Sequence, residues 1–96
     1  MRVMARVSIP VEQGNRVVKD GTIATLMQEM ARRWQPEGMY FTTFDARRTA
    51  YLVFDLPDAS DIPSFAEPLF NGLNCELEIM PVMNADDLQK GMAQLG

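Results

Sequence analysis

Four short runs of this chain carry apolar side chains at every second position, and amphipathic stretches of helical spacing follow the first run and the third. In the first run Val3, Ala5, Val7 and Ile9 alternate with Arg2, Met4, Arg6 and Ser8 before Pro10 ends the strand. Two further runs, 39–44 and 49–55, are joined by Asp45-Ala46-Arg47-Arg48. Pairing Phe44 with Thr49 across that four-residue loop gathers Met39, Phe41, Ala50, Leu52 and Phe54 on one face. Tyr40, Thr42, Phe44, Thr49, Tyr51 and Val53 then fall on the other. A slip of one residue would mix the two sets, so the pattern supports this choice of face. The last run, 73–80, sends Cys75, Leu77 and Ile79 one way and Glu76, Glu78 and Met80 the other.

Between the first two strands, Ile23, Leu26, Met27, Met30, Ala31 and Trp34 form one apolar stripe at helical spacing. Asp20 to Thr22 offers caps for its start, Arg32 and Arg33 suit its C-terminal end, and Pro36 stops it. The preceding residues 11–21 read as a connector broken by Gly14 and Gly21, with room for one helical turn. A second helix is expected from the cap candidates Ser60, Asp61 and Ser64 to Phe70, short because of Pro68, with Gly72 as its stop. Asn84, Asp86 and Asp87 begin a last helix, about 84–95, whose apolar stripe is only Leu88, Met92 and Leu95.

Strand, helix, strand, strand, helix, strand is the ferredoxin-like order, an α+β fold, here with an extra C-terminal helix. Ninety-six residues suffice for one domain, taken as residues 1–96. The helix-facing side of the sheet is almost wholly apolar. Its other side mixes Arg6, Glu76 and Glu78 with Tyr40, Phe44, Tyr51 and Met80, a composition unlike a solvated sheet face and typical of an interaction surface. A homodimer that buries this face is the favoured expectation. The competing arrangement folds the last helix back over the sheet of its own chain.

The stretch PEGMYFTTFDARRTAYLVFDLPDASDIPSFAEPLFNGLNCELEIMPVMNADDL, together with the order of elements, resembles the dimeric α/β-barrel superfamily. It is also similar to a group of small uncharacterised proteins sharing a PExxYF…VFD…EPxF…LN…PVMNxxDL pattern. The likeness covers roughly residues 36–88. It implies two sheets facing each other around a barrel, and it implies no particular activity, since the superfamily holds oxygenases, isomerases, peroxidases and proteins of no known reaction.

The candidate site follows from the inner face. First and last strands are neighbours in this order, so Arg6 is expected beside Glu76 and Glu78, either as a charged site or as a structural ion pair. Tyr40, Thr42 and Tyr51 would add hydroxyl donors to an otherwise apolar wall, the usual make-up of a small-molecule pocket. The resulting expectation is a cavity for a small, partly apolar ligand. The alternative is a histidine-free, cofactor-independent enzyme of oxygenase or isomerase type, with Glu76 or Glu78 as base.

Other chemistries lack their residues. Histidine is absent, which removes the commonest general base and metal ligand. Glu76 and Glu78 lie about 7 Å apart along a strand, so no metal is expected there. Cys75 reads as buried packing and Trp34 as core. No Gly-rich phosphate loop, nucleophile elbow or zinc spacing occurs, and no cofactor is expected. A net charge of −4 with scattered basic residues argues against nucleic acid and anionic membrane. No stretch of 18 apolar residues or signal-peptide core is present, and the lone cysteine suits a reducing compartment, so a soluble, cytoplasmic protein is expected.

Overall fold

The computed structural model describes residues 1–96. Strand β1 (Arg2–Ile9) leads into α1 (Val11–Lys19) and α2 (Thr22–Trp34). Then come β2 (Gly38–Phe44), β3 (Arg47–Asp55), a short 3₁₀ turn, α3 (Ile62–Leu73), β4 (Glu76–Pro81) and α4 (Ala85–Ala93). The four strands form one antiparallel sheet in the order β2-β3-β1-β4, which is the ferredoxin-like arrangement.

The core lies between this sheet and the helices. Val3, Ala5, Val7, Ile9, Ala50, Leu52 and Phe54 from the sheet meet Val17, Met27, Met30, Phe65, Leu69 and Leu73 from the helices, all buried. Phe54 and Phe65 stack with ring centroids 4.4 Å apart, and Trp34 packs edge-on to both at 5.6 and 5.5 Å. Trp34 is therefore core, as its helical spacing predicts. Cys75 also packs on this side, 9% exposed.

Several local expectations are corrected. Residues 11–19 form a full helix rather than a connector with a single turn. Gly14 is not a break. A Cβ at that position would lie 2.8 Å from Nη1 of Arg48, so the glycine lets the Arg48 side chain cross α1. Helix α2 starts as predicted, with the Thr22 amide donating to Asp20 Oδ1 at 2.9 Å, and ends at Gln35 in the left-handed region. Helix α3 runs past both Pro68 and Gly72 to Leu73, where Asn74 at φ 49° caps it. Proline there forfeits one backbone hydrogen bond, and burial of Phe65, Ala66, Leu69 and Leu73 carries the helix through. Strand β4 accordingly begins at Glu76 instead of Leu73.

The β2–β3 hairpin is tighter than the four-residue loop predicted. Phe44 pairs with Arg47, leaving a two-residue turn in which Asp45 and Ala46 both have positive φ. The register thus moves by two residues, which preserves both faces and changes every partner. Phe41 is a further departure. It points to the helix side but is 59% exposed, because the helices pack over the inner strands and leave the outer strand β2 uncovered.

The last helix does not fold over the sheet. Helix α4 buries no residue, and its start is tied to the body by Arg2 Nη1, 3.1 Å from Asp87 Oδ2. Asn84 and Asp87 close a reciprocal capping box at its N-terminus. The molecule is correspondingly long, 53 × 27 × 18 Å. Its radius of gyration of 15.0 Å exceeds the about 13 Å expected near 100 residues.

Candidate functional site

Register alone assembles the open face of the sheet into rows that cross all four strands. Tyr40 pairs with Tyr51, Tyr51 with Arg6, and Arg6 with Glu78. The next row is Thr42, Thr49, Ser8 and Glu76. All six residues singled out from the sequence, Arg6, Tyr40, Thr42, Tyr51, Glu76 and Glu78, therefore fall in two adjacent rows. On one side they are flanked by the row Gly38, Val53, Met4 and Met80, and on the other by Phe44 and Arg47. The two-residue register shift brings this about, since the looser hairpin would have set Tyr40 opposite Val53.

The charged members separate into two pairs rather than one trio. Arg6 Nη2 donates to Glu78 Oε1, and the Arg6 guanidinium lies 4.3 Å from the centroid of the Phe44 ring. The hydrogen bond to Glu78 is the main influence raising the Arg6 pKa, with desolvation opposing it. Glu76 is held by a residue that the sequence reading left in a loop. Arg47 Nη1 donates to its Oε1 at 2.9 Å, reaching from β3 across β1 to β4. Ser8 and Thr49 in the row between are only 8% and 3% exposed although they sit on the open face. The Thr49 hydroxyl donates to the Arg47 carbonyl at 3.1 Å.

Arg47 is the member of this face that sequence reasoning missed, whereas Ser8 and Thr49 fall on it by their alternation and only their burial was unforeseen. The signal for Arg47 was the short turn, and Ala46 disguised it, because two-residue hairpin turns with two positive φ angles favour Asn and Gly over Ala. Tyr40 is 67% exposed and Phe44 43%. The Tyr40 ring lies back over Gly38, whose Cβ would stand 2.9 Å from the ring edge.

One chain alone offers this face as a surface. The surface hollows lie elsewhere, such as a half-open one of about 170 Å³ at the edge of the helix layer bordered by Ile9, Ile23, Phe41 and Arg48. No third carboxylate or thiol joins Glu76 and Glu78 in a metal-binding cluster. Burial pushes the Cys75 thiol up to about 11, so it stays protonated near neutrality. No helix is long and apolar enough to cross a membrane.

These features define the class as a ferredoxin-like α+β domain. No known protein family matches the chain, and no curated protein does. Among solved structures, it is similar to MupZ from Pseudomonas fluorescens, with a TM-score of 0.50 and 14% identity, covering 98% of this chain and 81% of that one. A Deinococcus radiodurans protein assigned as an antibiotic biosynthesis monooxygenase aligns with a TM-score of 0.47 and 8% identity, over 88% and 95% of the two chains. The de novo designed protein Ferredog-Diesel aligns at 0.49 and 9%, over 84% and 85%. At these identities the likeness concerns the fold.

Proposed function

We propose that this protein works as a homodimer whose open sheet faces meet and enclose a site for a small, partly apolar ligand. The observation that carries the reading is the open face itself: Tyr40 and Phe44 stand exposed beside Met4, Val53 and Met80, and the chain's own α4 leaves them uncovered.

In the dimer the Tyr40–Tyr51–Arg6–Glu78 row and Thr42 supply polar contacts, and the methionine and Phe44 rows supply apolar walls. Glu76 and Glu78 each already have an arginine partner, so binding is favoured over base catalysis as the role of this face. A single free cysteine, with no disulfide framework, fits a cytoplasmic protein under this reading.

Sedimentation velocity at micromolar concentration tests the assembly. The expected result is a dimer that Tyr40→Asp converts to a folded monomer, and a stable wild-type monomer would overturn the proposal. A thermal-shift screen of small molecules tests the site. Stabilising compounds should lose their effect in Glu78→Gln or Tyr51→Phe, and unchanged binding in both variants would remove these residues from it.

A further inference from the structure

The hollow on the helix side of the sheet has a composition of its own. Ile9 and Ala50, both 2% exposed, form its floor, Ile23 from the first turn of α2 forms one wall, and Phe41 on the uncovered strand β2 forms another. At about 170 Å³ it is small, yet an apolar cavity of about 150 Å³ is enough for a benzene-sized body. Its one charged lining residue is Arg48.

Arg48, like Arg16 and Arg33, has no carboxylate partner, and it alone of these three borders the hollow. Arg2, Arg6, Arg32 and Arg47 are each paired with a carboxylate. Arg48 has only the neutral amide oxygen of Asn15, which accepts from Nη1 at 3.0 Å. That bond and the gap left by Gly14 fix the side chain across α1, while its Nε and Nη2 make no hydrogen bond within the chain. A guanidinium presenting Nε and Nη2 matches a carboxylate with two parallel hydrogen bonds.

We infer that this hollow, which touches the open face only through Thr42 and Thr49, is a second binding site for a small monocarboxylate with a compact apolar body such as an aromatic or branched short-chain acid. The apolar body fills the space between Ile9, Ile23, Phe41 and Ala50, and the carboxylate lies at the rim on Arg48. The uncovered position of Phe41 then has a purpose, as a side wall that an apolar ligand completes. The site needs no partner chain, so it stands or falls separately from the dimer.

Titration of ¹⁵N- and ¹³C-methyl-labelled protein with sodium benzoate and with 4-methylpentanoate tests this, with benzamide as the uncharged counterpart. Saturable shifts are expected at Ile9, Ile23, Phe41 and Ala50, with benzamide binding at least about tenfold more weakly, as loss of a charge-assisted pair implies. Arg48→Gln should weaken benzoate by a similar factor while keeping the wild-type spectrum elsewhere, and Lys90→Gln, which removes the same charge on α4, should not. Ile23→Phe, which fills the hollow from its half-buried wall, should abolish binding of both acids. The inference is overturned if no saturable shift occurs up to about 10 mM, if benzamide binds as well as benzoate, or if the shifts gather at Tyr40 and Tyr51 instead.

Discussion

Arg47 and Glu76 meet over a strand that belongs to neither: the guanidinium on β3 passes across β1 to reach the carboxylate on β4, 2.9 Å away. The two side chains bracket Ser8, whose register partners are Thr49 on one side and Glu76 on the other. They account for a hydroxyl row that is nearly inaccessible on a face with no second layer of its own chain. The pair itself is open to solvent in the monomer, with Glu76 74% exposed.

That exposure makes the pair a gauge of what covers it. In a monomer, a double-mutant cycle with Arg47→Met and Glu76→Gln should give a coupling of about 0.2–1 kcal/mol, weakened by salt. If the sheet face is buried in a dimer, removing one partner leaves an uncompensated charge, and the single substitution should cost about 3–5 kcal/mol of dimer stability. Urea unfolding at two protein concentrations separates the cases. A small, concentration-independent coupling would mean that the face remains open.

Much of the candidate face was legible in the sequence because parity is robust. The alternation in 2–9 and 49–55 assigns each side chain to a face whatever the hairpin length, so a register moved by two residues left Arg6, Tyr40, Thr42, Tyr51, Glu76 and Glu78 together. Arg6 beside Glu78 was legible from the strand order, whereas partners across the hairpin were not, because they depend on turn length. Ala46 at positive φ gave no composition cue to the turn, and so Arg47 was missed as the partner of Glu76. Helix α1 was hidden for a related reason, since Gly14 answers to a tertiary contact with Arg48 that local propensity cannot contain. The exposure of Phe41 depends on where the helix layer ends, which no pattern within β2 records.

The α4 helix should behave as a loosely held arm in the isolated chain. It has nine residues and buries none, and helices shorter than about 12–15 residues are marginal without packing. Hydrogen exchange should find the amides of 85–93 nearly unprotected at low protein concentration. Leu88→Gln with Met92→Gln should then shift unfolding by no more than about 0.5 kcal/mol. Strong protection that grows with concentration would instead reveal that a second copy covers the Leu88 and Met92 stripe.

The aromatic cluster should dominate the stability of the body. Phe65 is fully buried against Phe54 and Trp34, and Phe65→Ala is expected to cost about 3–5 kcal/mol in denaturant unfolding. That is a large share of the 5–15 kcal/mol usual for a domain of about this size. Trp34→Phe should cost much less than a full aromatic deletion. The indole N–H is buried with no hydrogen-bond partner, and its removal recovers about 1–3 kcal/mol of desolvation that offsets part of the lost contact. Circular dichroism is the appropriate probe, because the substitution removes the only tryptophan.

Cys75 predicts an alkaline limit that one substitution can isolate. Burial pushes its folded-state value from 9.0 up to about 11, so the folded chain keeps its thiol proton after the unfolded chain has lost it. The stabilisation is therefore complete below about pH 9. It declines through the window between the two values, where the unfolded state binds fewer protons, and is gone above about pH 11. Other groups titrate in the same range, so the measurement is a difference between wild type and Cys75→Ala. The gap in unfolding free energy should shrink by about 1–3 kcal/mol between pH 8 and pH 11. A thiol reagent added at pH 8 should label the native protein far more slowly than the urea-unfolded chain. A constant gap across that range, or rapid native labelling, would show that the thiol is open to solvent and contradict its place in the core.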